Sequence, residues 1–196
     1  MIQHLVLDLE TLDTISTSVI LSLGCSLFAF EDDKYDFDYY VKTGLYIKFN
    51  PVEQLKLGRT ASKDTVEWWK KQGTEAQQVL KPSANDILLH DGLLLLTKYL
   101  KQSQYDFKHS YCWCRGSSFD WPIVENAFRY CKLPLPYNGW KIRDIKTAID
   151  IMAGVDNGAY TLRGGIPKQF IKHNSLHDSV LDILRLKELF KLLNED

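Results

Sequence analysis

The feature that most constrains this chain is an apolar run at residues 2–8 that ends in one acid and meets a second two positions later. Leu5, Val6 and Leu7 read as a buried β-strand, because a short unbroken apolar run fits a strand enclosed on both faces. Alternate residues of a strand face the same way, so Asp8 and Glu10 project to one side. Two carboxylates at the end of such a strand repel each other and are costly to desolvate, and a cation between them resolves both problems. The tripeptide also fits a solvated strand end whose acids only face water, so the pair alone decides nothing.

The rest of the chain predicts what surrounds that strand. Residues 18–30 (SVILSLGCSLFAF), rich in β-branched and aromatic side chains, read as a second strand. Asp32-Asp33 marks a turn, and residues 35–43 read as a third, partly alternating strand, which completes an antiparallel meander. Residues 62–72 predict a helix with Ser62 as N-cap and Gly73 as stop. Further helices are expected at 91–102, at 119–130 with Pro122 in the first turn, and at 143–152. Residues 109–113 read as a short strand, and the Gly-rich stretch 153–169 as a loop. Residues 175–193 form a strongly amphipathic last helix, with Leu176, Val180, Ile183, Leu186 and Leu189 on one side. Strands first, then strands mixed with helices, predict an α/β fold: a mixed sheet with helices on both faces. With no repeat or linker in view, the expectation is one domain over residues 1–196.

Composition narrows the function classes. A net charge of −1 provides no global basic field, which argues against a non-specific nucleic-acid coat. It leaves room for an enzyme that meets substrate charge with bound cations and a few local Lys and Arg. The cysteines, at 25, 112, 114 and 131, lack the spacing of a zinc ribbon or a secreted disulfide scaffold, so they are expected to be reduced. With no secretory signal and no apolar stretch near the ~20 residues that span a bilayer, the expected compartment is the cytoplasm.

Two further clusters join the first. Asp120 follows Gly116-Ser117-Ser118-Phe119 and precedes Trp121-Pro122, at the start of the helix expected over 119–130. Such a position favours an acid through the helix dipole, so an ordinary N-terminal Asp is the plain alternative. In His173-Asn174-Ser175-Leu176-His177-Asp178-Ser179, Asn174 or Ser175 is a good N-cap. That puts His173 just before the last helix and Asp178 in its first turns, which suits a base next to an anchored acid. The plain reading is a surface His and a dipole-stabilising Asp. Ser179 is small enough to let this helix approach the sheet that carries the first acids.

Taken together, these segments form one pattern. Residues 7–11 (LDLET), 116–123 (GSSFDWPI) and 173–179 (HNSLHDS) resemble the three motifs of the DEDDh 3′–5′ exonucleases, whose fold is ribonuclease H-like. Within that superfamily the chain looks most like the phage DexA exonucleases and the related exoribonuclease-like domains. Thr65-Val66-Glu67-Trp68-Trp69, Trp113-Cys114-Arg115-Gly116, Arg143-Asp144-Ile145 and residues 177–183 carry that closer likeness. The resemblance implies that Asp8, Glu10, Asp120 and Asp178 hold two divalent cations, Mg²⁺ or Mn²⁺, and that His173 is the general base. It further implies release of nucleoside 5′-monophosphates from a 3′ end.

The His-x4-Asp spacing occurs twice, and His173…Asp178 is preferred over His177…Asp182 because Leu176 and the small Ser175 and Ser179 fit the motif. Thr11 and Leu12 are expected to meet the terminal base, or else to cap the sheet. Phe119 and Trp121 are candidates for stacking on bases, one of them being core, and at least one of Trp68 and Trp69 is expected in the core. Arg115 and Arg143 either touch phosphate or pair with an acid such as Asp144. Two rivals stand beside the enzyme. One is a zinc hydrolase built on His173 and His177, which lacks the Glu after the first His. The other is a silent binding module, which would be expected to have lost an acid. The expected partner is single-stranded nucleic acid, DNA ahead of RNA, since the contacts to the 2′-hydroxyl that tell them apart are not readable.

Overall fold

The computed structural model describes residues 3–32 and 34–195; Ile2 of the expected first strand and Asp33 of the expected turn lie outside them. The strands are β1 (His4–Thr11), β2 (Ile20–Phe28), β3 (Leu45–Lys48), β4 (Cys112–Cys114) and β5 (Ile142–Asp144). The helices are α1 (Phe37–Thr43), α2 (Pro51–Lys56), α3 (Lys63–Lys70), α4 (Leu89–Gln102), α5 (Asp120–Tyr130), α6 (Ile145–Ala153) and α7 (Ser175–Asn194). They build one mixed sheet in the order β3-β2-β1-β4-β5. Its β3-β2-β1 half is antiparallel, with Asp8 opposite Gly24, and its β1-β4-β5 half is parallel. No helix among the described residues is long and apolar enough to cross a membrane.

The expected strand at residues 35–43 is corrected. That segment is α1, and the third strand follows it at Leu45–Lys48. Asp36 caps the helix, its carboxylate accepting the Tyr39 N–H at 2.9 Å. Phe37 and Tyr40, three apart, are buried on one helical face, a spacing that the alternation of aromatics and acids disguises as a strand. The expectations also lack α2, which Asn50 caps with Pro51 in its first turn, and β5, which directly precedes α6. The other helices lie where expected, Ser62 and Asn174 serving as their N-caps.

Helices cover both faces because β1 is apolar on both. Leu5, Leu7 and Leu9 pack against Leu93, Leu96 and Leu100 of α4 and Ile123, Val124 and Phe128 of α5. Val6 joins the opposite core, with Phe37 and Tyr40 of α1, Ile145 and Ile149 of α6, and Val180, Ile183 and Leu186 of α7. Each leucine so buried contributes roughly 1.5–3 kcal/mol.

The start of α7 sits unusually close to the sheet. A side chain at Gly24 would meet the Leu176 nitrogen at 2.0 Å, so no other residue type fits under the helix. Ser22 and Ser175 hydroxyls bond at 2.9 Å, and the Ser179 hydroxyl donates to the Gly24 carbonyl at 3.0 Å. These small residues set the height at which Asp178 faces β1.

Candidate active site

Four acids converge on the face of the sheet beneath α7. β1 supplies Asp8 and Glu10, α5 supplies Asp120 at its first residue, and α7 supplies Asp178 in its first turn. Asp120 reaches between them: its Oδ1 accepts the Leu9 N–H at 3.2 Å. Asp120 is 1% exposed and Glu10 8%. Burial first, then Asp120, Glu10, Asp178 and Asp182, hold Asp8 well above the ordinary carboxylate range. Glu10 is pushed up to about 8 by burial and by Asp178 and Asp120. Burial raises Asp120 to about 7 against the Leu9 N–H and the Cys114 thiol, which favour its charge. Burial and Asp182 raise Asp178 to about 7, opposed by the His173 N–H, Arg185 and Arg115.

His173 completes the cluster. Ligand atoms of Glu10, His173 and Asp178 lie within 4.8 Å of one another. His173 holds a left-handed backbone, φ 60°, which few non-glycine residues adopt, and Asn174 begins to cap α7 directly after it. Its ring stands edge-on to Trp68 at 4.9 Å and to Trp69 at 6.1 Å. Trp69 is core, 1% exposed, and its indole N–H donates to the Thr11 carbonyl at 2.8 Å; Trp68 is 42% exposed. Burial and the charge of Lys172 hold the His173 imidazole below its ordinary value, so it is neutral and able to accept a proton near pH 7.

The donor set fits hard divalent cations. Carboxylate oxygens are the ligands such ions prefer, and their mutual repulsion under burial is the strain a cation would relieve. Asp8, Glu10, His173 and Asp178 line a cleft of about 480 Å³ that is also bounded by Arg115, Ile166, Phe170, Lys172, Leu181, Asp182 and Arg185, while Asp120 lies buried behind it. A larger cavity of about 780 Å³, beside α1 and the C-terminal half of α7, contains none of these acids.

Other expected site residues fall in different places. Trp121 is corrected from base stacking to core: it is 1% exposed and packs on Tyr137 at 4.5 Å, leaving no face for a base. Phe119 is half-buried against the same core. Thr11 is buried and its hydroxyl donates to the Asp13 carbonyl, while Leu12 packs partly buried beside Trp69. Arg115 pairs with Asp182 at 2.7 Å and not with Asp144, which caps α6. Arg143 lies over the Tyr111 ring at 4.3 Å. His177 accepts the Ile171 N–H at its Nδ1, and it is not part of the ligand cluster that Glu10, His173 and Asp178 form among the described residues.

A family model described as the 3′–5′ exoribonuclease Rv2179c-like domain matches residues 3–189. The chain belongs to this family. It is 33% identical to the exodeoxyribonuclease of Enterobacteria phage T4 over an alignment of 198 positions that takes in 93% of this chain and 86% of that protein. Among solved structures it is similar to the nuclease domain of 3′hExo, a DEDDh family member bound to rAMP, with TM-score 0.63 and 14% identity over 98% of this chain and 92% of that one. The RNase domain of the yeast Pop2 protein gives TM-score 0.61 and 16% identity over 96% and 77%. The fold is that of the ribonuclease H-like DEDDh nucleases, and the protein is a 3′–5′ exonuclease.

For an exonuclease of this family the cleft holds two cations that sequence reading passed over, Lys172 and Arg185. Arg185 is seven residues after Asp178, two helical turns along the same face of α7, and that spacing was the available signal. Lys172 adjoins His173, where nothing in the sequence marks its direction.

Proposed function

We propose that this protein removes nucleotides one at a time from the 3′ end of single-stranded DNA, releasing nucleoside 5′-monophosphates, through one domain spanning residues 1–196. The observation that carries this reading is the convergence of Glu10, His173 and Asp178 within 4.8 Å in a cleft that Asp8 also lines, with the buried Asp120 acting on Asp8 from behind it. Asp8, Glu10, Asp120 and Asp178 would hold two divalent ions, Mg²⁺ or Mn²⁺. Such ions, when bound, polarise the scissile phosphate and lower the pKa of the attacking water. His173 takes the proton of that water; its lowered pKa keeps it neutral, and the Trp68 and Trp69 edges fix its ring. Leu12, two residues beyond Glu10, and Phe119, directly before Asp120, are the apolar surfaces we assign to the terminal bases.

Identity to the phage exodeoxyribonuclease supports DNA and action in the cytoplasm of a host cell. The family's description as exoribonuclease-like favours RNA as the second reading. Digestion of matched 3′- and 5′-labelled single-stranded DNA and RNA with Mg²⁺ or Mn²⁺ tests both. Immediate mononucleotide from the 3′ label and a shrinking 5′-labelled ladder are expected, faster on DNA. Faster loss of RNA would transfer the assignment to the second reading, and release from neither would refute the catalytic one.

A further inference from the structure

Two guanidiniums share one oxygen in the wall of the cleft. Arg115 Nη1 and Arg185 Nη1 donate to the same Oδ1 of Asp182, at 2.7 and 2.8 Å. Asp182 is buried, and only 26% of the Arg115 side chain and 17% of the Arg185 side chain is exposed. One carboxylate balances one cation, so the trio carries an excess positive charge. Like charges held this close raise each other's energy, and an anion bridging both relieves it.

The arginines are also fixed in place. Arg115 Nη2 donates to the Gly158 carbonyl at 2.8 Å, and Arg185 Nε to the Tyr160 carbonyl at 3.1 Å. A guanidinium has more N–H donors than these bonds consume. Both side chains line the cleft that holds Glu10, His173 and Asp178. Asp182 lies one turn of α7 beyond Asp178, a rise of ~5.4 Å, comparable to the step between neighbouring phosphates of a strand.

We propose that Arg115 and Arg185, held together by Asp182, form a clamp for the backbone phosphate next to the scissile one. The inference rests on the exonuclease reading above. A strand that ends in a free 3′ hydroxyl has no phosphate on the 3′ side of the bond being cut. The next one is the 5′ phosphate of the penultimate nucleotide, and the clamp takes that group.

The test uses 5′-labelled single-stranded DNA hexamers, either unmodified or with one neutral methylphosphonate. The modification replaces the penultimate nucleotide's 5′ phosphate in one hexamer and the phosphate one step further upstream in another. For the wild type with Mg²⁺, the first modification is expected to raise KM for release of the 3′ nucleotide about tenfold, as loss of a charged hydrogen bond would, and the upstream one to change it little. Arg185→Gln should raise KM on the unmodified hexamer by a similar factor and respond clearly less than the wild type to the first modification, through Arg115 alone. Arg115→Lys, which keeps the charge and loses the fork, should fall between, and melting temperatures identify any variant that fails to fold. Equal sensitivity of the wild type to both modifications, or an Arg185→Gln enzyme that still loses tenfold to the first, would overturn the clamp and leave the arginines as a brace for the 158–160 loop. Failure of the wild type to shorten any hexamer would overturn the exonuclease reading and the clamp with it.

Discussion

The two faces of β1 differ in what they ask of the protein. One face presents Leu5, Leu7 and Leu9 to α4 and α5 and is sealed by large apolar side chains. The other starts with Val6 and then turns to Asp8 and Glu10, under an α7 whose approach depends on Ser22, Gly24, Ser175 and Ser179. The first face gains stability from every group it buries. The second gathers four carboxylates, Glu10 and Asp120 buried and Asp8 and Asp178 half-buried, whose acidities are all shifted upward by desolvation and one another's charge. A single strand thus separates the fold from the chemistry by alternation alone, and substitutions on the two faces should fail in different ways.

The largest expected effect is on the acidic face. Asp178→Asn should reduce mononucleotide release to background while the protein stays folded, measured by digestion of a labelled oligonucleotide beside a thermal melt. Residual activity above a hundredth of wild type would detach Asp178 from the chemistry. His173→Ala should cost ~10²–10⁴-fold in kcat, the range of a lost general base. The loss should carry with it the acidic limb of the pH–rate profile, since a neutral His173 is the active form. An unchanged profile would assign that limb to another group.

On the apolar face the order inverts. Leu7→Ala should cost ~2–5 kcal/mol of stability in denaturant unfolding, with kcat per folded molecule nearly unchanged. A large kcat loss at full folding would show that the faces are not independent. Gly24→Ala crosses the divide: its methyl meets the α7 backbone, so both stability and activity should fall.

The smallest effect is a pH dependence of the metal-free protein. Unfolded carboxylates ionise near pH 4, whereas Glu10, Asp120 and Asp178 are raised to about 7–8 and Asp8 is raised with them. Between these limits the folded state binds more protons, so stability falls as pH rises. The melting temperature without divalent ions should therefore drop from pH 5 to pH 8, and Mg²⁺ should restore it more at pH 8 than at pH 5. A rise across that window would contradict the burial of the acids.

Much of this division can be read from the sequence, because its signals are local. Strand alternation puts Asp8 and Glu10 on one side, and Asn174 marks where α7 begins, so His173 and Asp178 follow. What escapes depends on distant contacts. Whether Trp121 or Phe119 faces the core is settled by Tyr137, sixteen residues beyond Trp121. Arg115 finds Asp182 and not Asp144 because β4 delivers it to α7. The segment at 35–43 misleads because its aromatics and acids alternate over a few residues, while the positions actually buried, Phe37 and Tyr40, are three apart.

The most direct test of the account pairs two measurements on Glu10→Gln at pH 7.5: exonuclease activity with Mg²⁺, and melting temperature without divalent ions. Replacing a carboxyl raised to about 8 by a neutral amide removes a folding cost of at least ~1 kcal/mol, or ~2–4 °C. The account predicts a protein that melts higher and cuts no nucleic acid. A variant that melts lower, or that still releases mononucleotides at the wild-type rate, would contradict it.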